Sequence, residues 1–258
     1  MSDFALRDLE LAGVRWELAD SPISMPVTEK KEDIIESKRP TAATVMAEIG
    51  RVATSVVPPV APTQTVSLET VCAMASRPMD MATLNRMIGE FNHPLRATAT
   101  NTVLPHTGQG SLLVLTDVPS SDDDASGNIL SGAAGELMDK MLAAIGLTRK
   151  DVSLIPMVFW RTPGGRSPSR QELDLSRPFV NRAIELLKPR VILTLGTLPA
   201  SEMTDINLAK SHGMPVVMEN GATLVPIYHP NFLMLKPAAK RDVWTALQKV
   251  QNILKSAE

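Results

Sequence analysis

Two residues stand where chemistry can be done. Asp117 follows the apolar run Leu112–Leu115 and heads a polar, turn-rich stretch, Asp117–Leu130; His229 follows the run Leu224–Ile227 in Tyr228-His229-Pro230. A carboxylate so placed can act as a catalytic group, or it can cap and turn its own loop with help from Asp122, Asp123 and Asp124. A histidine so placed can donate a hydrogen bond to a ligand, or serve loop geometry together with Pro230. Arg161, Arg166 and Arg170 fall on one loop, and Lys236, Lys240 and Arg241 follow His229. Two such basic loops can neutralise phosphates, or they can be scattered surface charge. The run Asp122–Asp124 works against phosphate binding beside it. The serines and Cys72 have no identifiable histidine–acid partners, which leaves nucleophilic catalysis unsupported. No glycine loop of the Walker type is present.

These residues need elements to position them. Leu112–Leu115 reads as a buried strand, Asp117–Leu130 as a long loop, and Gly132–Ile145 as a helix with Leu137, Met138, Met141, Leu142 and Ile145 on one face. In open α/β sheets the ligand site lies at the carboxyl ends of the strands, where such loops sit. Upstream, Ser67 caps a helix through about Ala75 and Asp80 caps another through Phe91, before an extended stretch with Pro94 and Pro105. Downstream, the pattern predicts a strand over Val152–Trp160, a loop over Thr162–Ser169, and a helix over Arg177–Leu187. A buried strand, Val191–Leu195, and a short helix, Pro199–Met203, come next. Two short strands, Val216–Met218 and Leu224–Ile227, flank a turn at Asn220-Gly221. A final helix, Pro237–Leu254, buries Val243, Trp244, Leu247, Val250 and Ile253. Strands alternating with helices predict a three-layer α/β/α domain with a central, mostly parallel sheet.

Composition narrows the function classes. The chain has 258 residues, a formal net charge of −2 and one cysteine. Bulk charge therefore gives no argument for nucleic acid, and any such binding needs a local basic patch. One cysteine excludes an intramolecular disulfide and any four-cysteine zinc or iron–sulfur site, and fits a reducing, cytoplasmic setting. No apolar run approaches the roughly 18 residues of a membrane span, and no secretory signal is read at the N-terminus. Residues 1–20 are read as an amphipathic N-terminal helix, either a tail or a partner-docking segment. Residues 21–66 are read as a flexible, proline-containing linker with a mixed charge run, Glu29–Arg39, and a weak helix at Ala42–Val52. The folded domain is assigned to residues 67–258.

Several stretches together resemble one family. LLVLTDVPSSDDDASGNILSGAAGELMDKMLAAIGL is similar to the first motif of the uracil-DNA glycosylase superfamily in its family-four branch. FWRTPGGRSPSRQELDLSRPFVNRAIELLKPRVILTLG and YHPNFLMLKPAAKRDVWTALQKV resemble the loop–helix–strand and the last motif of that branch, and FNHPLRATATNTVLPHTGQG its entry segment. The resemblance covers Ser67–Lys255. It implies a base flipped out of DNA into a pocket and hydrolysis of its glycosidic bond. Asp117 then takes the place of the catalytic glutamate, with Pro119 retained beside it and Val118 next to both. His229 takes the place of the histidine that stabilises the departing base anion. Leu130 stands where a phenylalanine stacks on uracil, and Pro156 where an asparagine reads its edge.

The resemblance also marks departures. Thr116 and Ser120 replace two glycines, and Asp117 is one methylene shorter than glutamate. Glu90, His93, Trp160 and Ser176 occupy the iron–sulfur cysteine positions, so the expectation is no cofactor and no metal; a Cys72–His93 pair would supply two ligands at most. Arg161, Arg166, Pro230 and Lys240 are the candidate DNA contacts. Two functions follow. One is base excision by Asp117 and His229, impaired or with altered base specificity. The other is a catalytically inactive DNA- or protein-binding module that keeps the fold.

Overall fold

Five short apolar segments make the sheet. In the computed structural model, which describes residues 67–205 and 207–256, they are β1 (Leu112–Thr116), β2 (Val152–Pro156), β3 (Val191–Leu195), β4 (Val216–Val217) and β5 (Thr223–Ile227). Their spatial order is β2-β1-β3-β5-β4, all parallel except the antiparallel β4–β5 pair. Successive side chains alternate across the sheet. Leu113, Leu115, Ile155, Ile192 and Leu224 enter one core. Leu112, Val114, Leu154, Val191, Leu193 and Val225 enter the other. Both faces are covered, so the strands are apolar throughout rather than alternating.

Helices supply the outer layers. Helix α1 (Leu68–Ala75) and helix α2 (Met81–Glu90) begin at the caps Ser67 and Asp80, as their sequence signals require. They share the first core with α5 (Arg170–Leu187) through Val71, Leu84, Ile88, Phe179, Val180 and Ala183. The second core is closed by α4 (Gly132–Ala144), α8 (Pro230–Leu235) and α9 (Lys240–Lys255) through Met138, Leu142, Leu233, Val243, Leu247 and Val250. Three short helices complete the order: α3 (Ser121–Ser126), α6 (Thr197–Thr204) and α7 (Leu208–Ser211). The expected α/β/α architecture is present.

Several local expectations change. The stretch Asp117–Leu130 contains α3, a polar helix that apolar periodicity does not report. It starts at a capping box in which Ser120 Oγ accepts the Asp123 N–H and the Asp123 carboxylate accepts the Ser120 N–H. Helix α5 starts at Arg170 rather than Arg177, because a Ser169–Glu172 capping box opens it and Pro178 is carried inside it. Strand β2 stops at Pro156, and Pro94–Ala97 forms a 3₁₀ turn. Pro237–Ala239 is likewise 3₁₀, so the final helix begins at Lys240. Trp244 is 40% exposed, since the buried stripe of α9 runs through Val243, Ala246, Leu247 and Val250. The expected N-terminal helix, linker and Ala42–Val52 helix lie outside the described residues.

Candidate active site

The strand order reverses around β1: β2 lies on one side of it and β3 on the other. That switch point is where open α/β sheets bind ligands. Asp117 follows β1, Arg161 follows the buried stretch after β2, Gly196 follows β3 and His229 lies just past β5. Gly196 has φ 93°, and a Cβ there would lie 3.6 Å from the His229 Cβ and 3.7 Å from Asp117 Oδ2. The glycine thus makes the positive-φ turn out of β3, and a Cβ there would meet both side chains only at ordinary contact distance.

His229 is oriented by its own helix. As N-cap of α8 its Nδ1 accepts the Asn231 N–H at 3.2 Å. The neutral ring therefore carries its hydrogen on Nε2. Nε2 lies 3.3 Å from Thr116 Oγ1 and 3.7 Å from Asp117 Oδ1. Burial holds the His229 pKa below the ordinary imidazole value, against the pull of Asp117 and Asp123. Burial likewise pushes the Asp117 carboxyl above its ordinary value, against the pull of His229. Burial thus favours a neutral imidazole presenting its N–H beside a partly exposed carboxyl.

The pair lines a cavity of about 190 Å³ with Val118, Pro119, Leu130 and Arg161. Four candidates expected from sequence thus meet Asp117 and His229 in one place. Pro156 does not line that cavity. It pairs in register with Thr116 inside the sheet, and the chain beyond it is tied down where the Met157 N–H donates to the Thr116 and Asp117 carbonyls. Pro230 is buried in the first turn of α8, so its ring is closed off from a phosphate. Lys240 opens α9, half-buried.

The basic loop is also altered by its surroundings. Arg166 holds Glu172 through two bonds, Nη1 to Oε2 at 2.8 Å and Nη2 to Oε1 at 2.6 Å. Arg170 pairs with Asp174 and Glu202. Among the described residues no ion pair is formed by Arg161. Two of the three acidic residues turn inward, Asp123 and Asp124 both 6% exposed, while Asp122 stays exposed. Asp123 Oδ1 accepts the Ser131 N–H at 2.6 Å, and Asp124 Oδ1 accepts the Thr100 and Asn101 N–H groups at 2.8 and 3.0 Å.

Sequence patterning missed three supports of the site. Asn231 orients His229 and lines the cavity. Thr116 places a hydroxyl against His229 Nε2. Arg149 donates to the Ile129 and Leu130 carbonyls and pairs with Asp139. This clamp holds Leu130, 2% exposed, at φ 52°, a left-handed conformation that leucine rarely adopts. The Ser120-x-x-Asp123 spacing was the one legible signal for the loop's anchoring.

The four residues that the resemblance sets at iron–sulfur cysteine positions carry no thiol to hold a cluster. His93 is 1% exposed and stacks on Trp160 at 4.7 Å and 12°. His93 Nδ1 accepts the Leu95 N–H, which leaves the ring hydrogen on Nε2, 3.1 Å from the Glu172 carbonyl. Both ring nitrogens are engaged, so a pairing of His93 with the exposed Cys72 on a metal has no imidazole lone pair to use. Trp160 and Ser176 are fully buried and Glu90 is exposed.

Glu172 gives this region an acid limit. Its Arg166 partner holds the carboxyl down from 4.5 to about 2. A carboxyl depressed on folding adds stability above its unfolded value, and that stability is lost as pH falls through the folded one. Thermal melts should therefore show the parent protein losing stability between pH 4.5 and 2, with a shallower acid limb in Glu172→Gln. Equal slopes would show that the pair contributes nothing.

Residues 106–251 match the family described as the uracil DNA glycosylase superfamily. The chain is similar to the Type-4 uracil-DNA glycosylase of Thermotoga maritima, 28% identical over 171 residues, which cover 63% of this chain and 88% of that protein. The protein of the same name from Archaeoglobus fulgidus is 29% identical over 170 residues, 62% of this chain and 85% of the relative. That from Pyrobaculum aerophilum is 28% identical over 176 residues, 64% and 89% of the two chains.

Proposed function

The chain belongs to the uracil-DNA glycosylase superfamily, and from that premise we propose that it hydrolyses the N-glycosidic bond of a flipped base in DNA with Asp117 and His229 as its working pair. The observation that carries this is their meeting, 3.7 Å apart, in one cavity at the switch point of the sheet. Loss of the base leaves positive charge on the sugar and negative charge on the base. The Asp117 carboxylate offsets the first or orients the attacking water, and His229 Nε2–H donates to the second. A neutral histidine suffices for that donation, and burial keeps it neutral.

Base choice differs from reading by an asparagine amide. Pro156 offers neither an amide nor a backbone N–H, and it is confined to the sheet. Leu130 gives the base an apolar wall in place of an aromatic ring. The polar side chains lining the cavity are Asp117, Asp123, His229, Arg161, Asn231 and the serines Ser120 and Ser121. The same loss of the amide supports a second reading, a DNA-binding module without excision. Cytoplasmic residence and a protein-docking role for residues 1–20, tethered through the proline-containing stretch, belong to the proposal. No helix among the described residues is long and apolar enough to cross a membrane.

One assay separates the readings. Single- and double-stranded oligonucleotides carrying uracil, hypoxanthine or xanthine are incubated with the protein and probed for abasic sites. Excision that disappears in Asp117→Ala and His229→Ala supports the pair. Excision that survives both substitutions together removes it. Salt-dependent DNA binding with no abasic sites on any substrate leaves the binding module.

A further inference from the structure

We propose that Thr116 is a brake on base excision: its hydroxyl holds the one ring hydrogen of His229 that the departing base has to receive. This rests on His229 being the donor in the reaction proposed above. A neutral imidazole has a single N–H. Its Nδ1 accepts the Asn231 N–H at 3.2 Å, so the hydrogen sits on Nε2. Thr116 Oγ1 lies 3.3 Å from Nε2 and is the acceptor of that hydrogen. Asp117 Oδ1, at 3.7 Å, is outside hydrogen-bond reach.

The two partners face different spaces. His229 lines the cavity, whereas Thr116 ends β1, is 4% exposed and does not line it. The hydrogen is thus directed at the strand end and not at the space where a base is held. Thr116 is also fixed in place. Its carbonyl accepts the Met157 N–H at 2.9 Å, and it stands in register with Pro156 of β2. The hydroxyl therefore does not follow the ring toward a base. Nor is it needed to set the tautomer, which Asn231 settles from the other nitrogen.

The effect on rate follows from where this bond exists. It is present in the free protein and is given up when Nε2–H turns to the developing base anion. An interaction made in the ground state and lost in the transition state slows the reaction. At 3.3 Å the contact is longer than the roughly 2.7–3.2 Å of ordinary N–H···O bonds, so the hold is weak enough for a base to displace. Because kcat/KM compares the free protein and substrate with the transition state, the cost appears there at whichever step the bond breaks.

The test uses the full chain and single-stranded oligonucleotides carrying uracil, hypoxanthine or xanthine. Thr116→Val replaces the hydroxyl with a methyl group and keeps the branched shape suited to a strand. It should raise kcat/KM by roughly two- to tenfold, the worth of one neutral hydrogen bond. It should also lower the Tm, since Nε2–H then lacks its partner in the free protein. A protein made faster and less stable by one substitution is not what a merely structural threonine gives. Thr116→Ser keeps the acceptor and should gain less than Thr116→Val. Side-chain ¹H–¹⁵N NMR should show the His229 Nε2–H resonance moving upfield in the valine variant. An unmoved resonance, equal gains in both variants, or excision by the parent that the valine variant does not exceed overturns the brake alone. No excision by the parent or either variant on any of these substrates overturns the proposed function and the brake with it.

Discussion

Asp117→Asn lowers base excision by roughly 10²–10³-fold, the usual cost of one preorganised electrostatic group, and leaves the fold at least as stable as the parent. The amide keeps the size of the carboxyl and removes the charge that faces the developing cation. It also removes a burden. Burial pushes the Asp117 pKa up, so the ionised form is the one the folded state disfavours. A carboxyl whose folded pKa is raised adds stability at low pH and loses it as pH climbs through that value. The asparagine variant escapes that loss, and its Tm at neutral pH should equal or exceed the parent's. The parent's excision rate should rise with pH through a titration above the ordinary 3.8 of aspartate, and that limb should vanish in the variant. A variant that excises at the parental rate would remove Asp117 from the chemistry.

Trp160→Ala produces the largest loss of stability, about 3–5 kcal/mol for a fully buried tryptophan. Trp160 is 0% exposed. Its indole stacks on His93, meets Phe159 edge-on at 5.8 Å and lies 6.5 Å from Phe91. Its Nε1 donates to Thr102 Oγ1 at 2.9 Å. Truncation leaves a cavity in the core under α1, α2 and α5 and strips the stacking partner from His93, whose hydrogen bonds tie α5 to the entry segment. Since domains of this kind are stable by only about 5–15 kcal/mol, the loss should be plain in a urea or guanidinium titration. Trp160→Phe keeps most of the ring packing and should lose less. Equal midpoints for the parent and the alanine variant would show that this aromatic cluster does not hold the fold.

Much of the scaffold was legible because its determinants are local. Apolar runs marked β1, β3 and β5, and Ser67 and Asp80 marked the starts of α1 and α2 through hydrogen bonds made within one turn. The positions of Asp117 and His229 just past strand ends were readable for the same reason. Where the local signal misled, the cause was also local. A helix of Ser-Asp-Asp-Asp-Ala-Ser has no apolar stripe, and Pro178 imitates the first residue of a helix whose cap lies upstream at Ser169.

Tertiary structure decided which groups face one another. Sheet register set Pro156 opposite Thr116 and took it off the cavity wall. Register also carried His229, far along the chain, to within 3.7 Å of Asp117. The fold pairs Arg166 with Glu172, and backbone N–H groups from Ser120, Ser131, Thr100 and Asn101 turn Asp123 and Asp124 inward. By itself the sequence determined the main strands, the caps Ser67 and Asp80, and the positions of Asp117 and His229 just past strand ends. Propensity and capping depend on neighbours a few residues apart, whereas charge pairing, desolvation and the shape of a cavity depend on groups that only packing brings together.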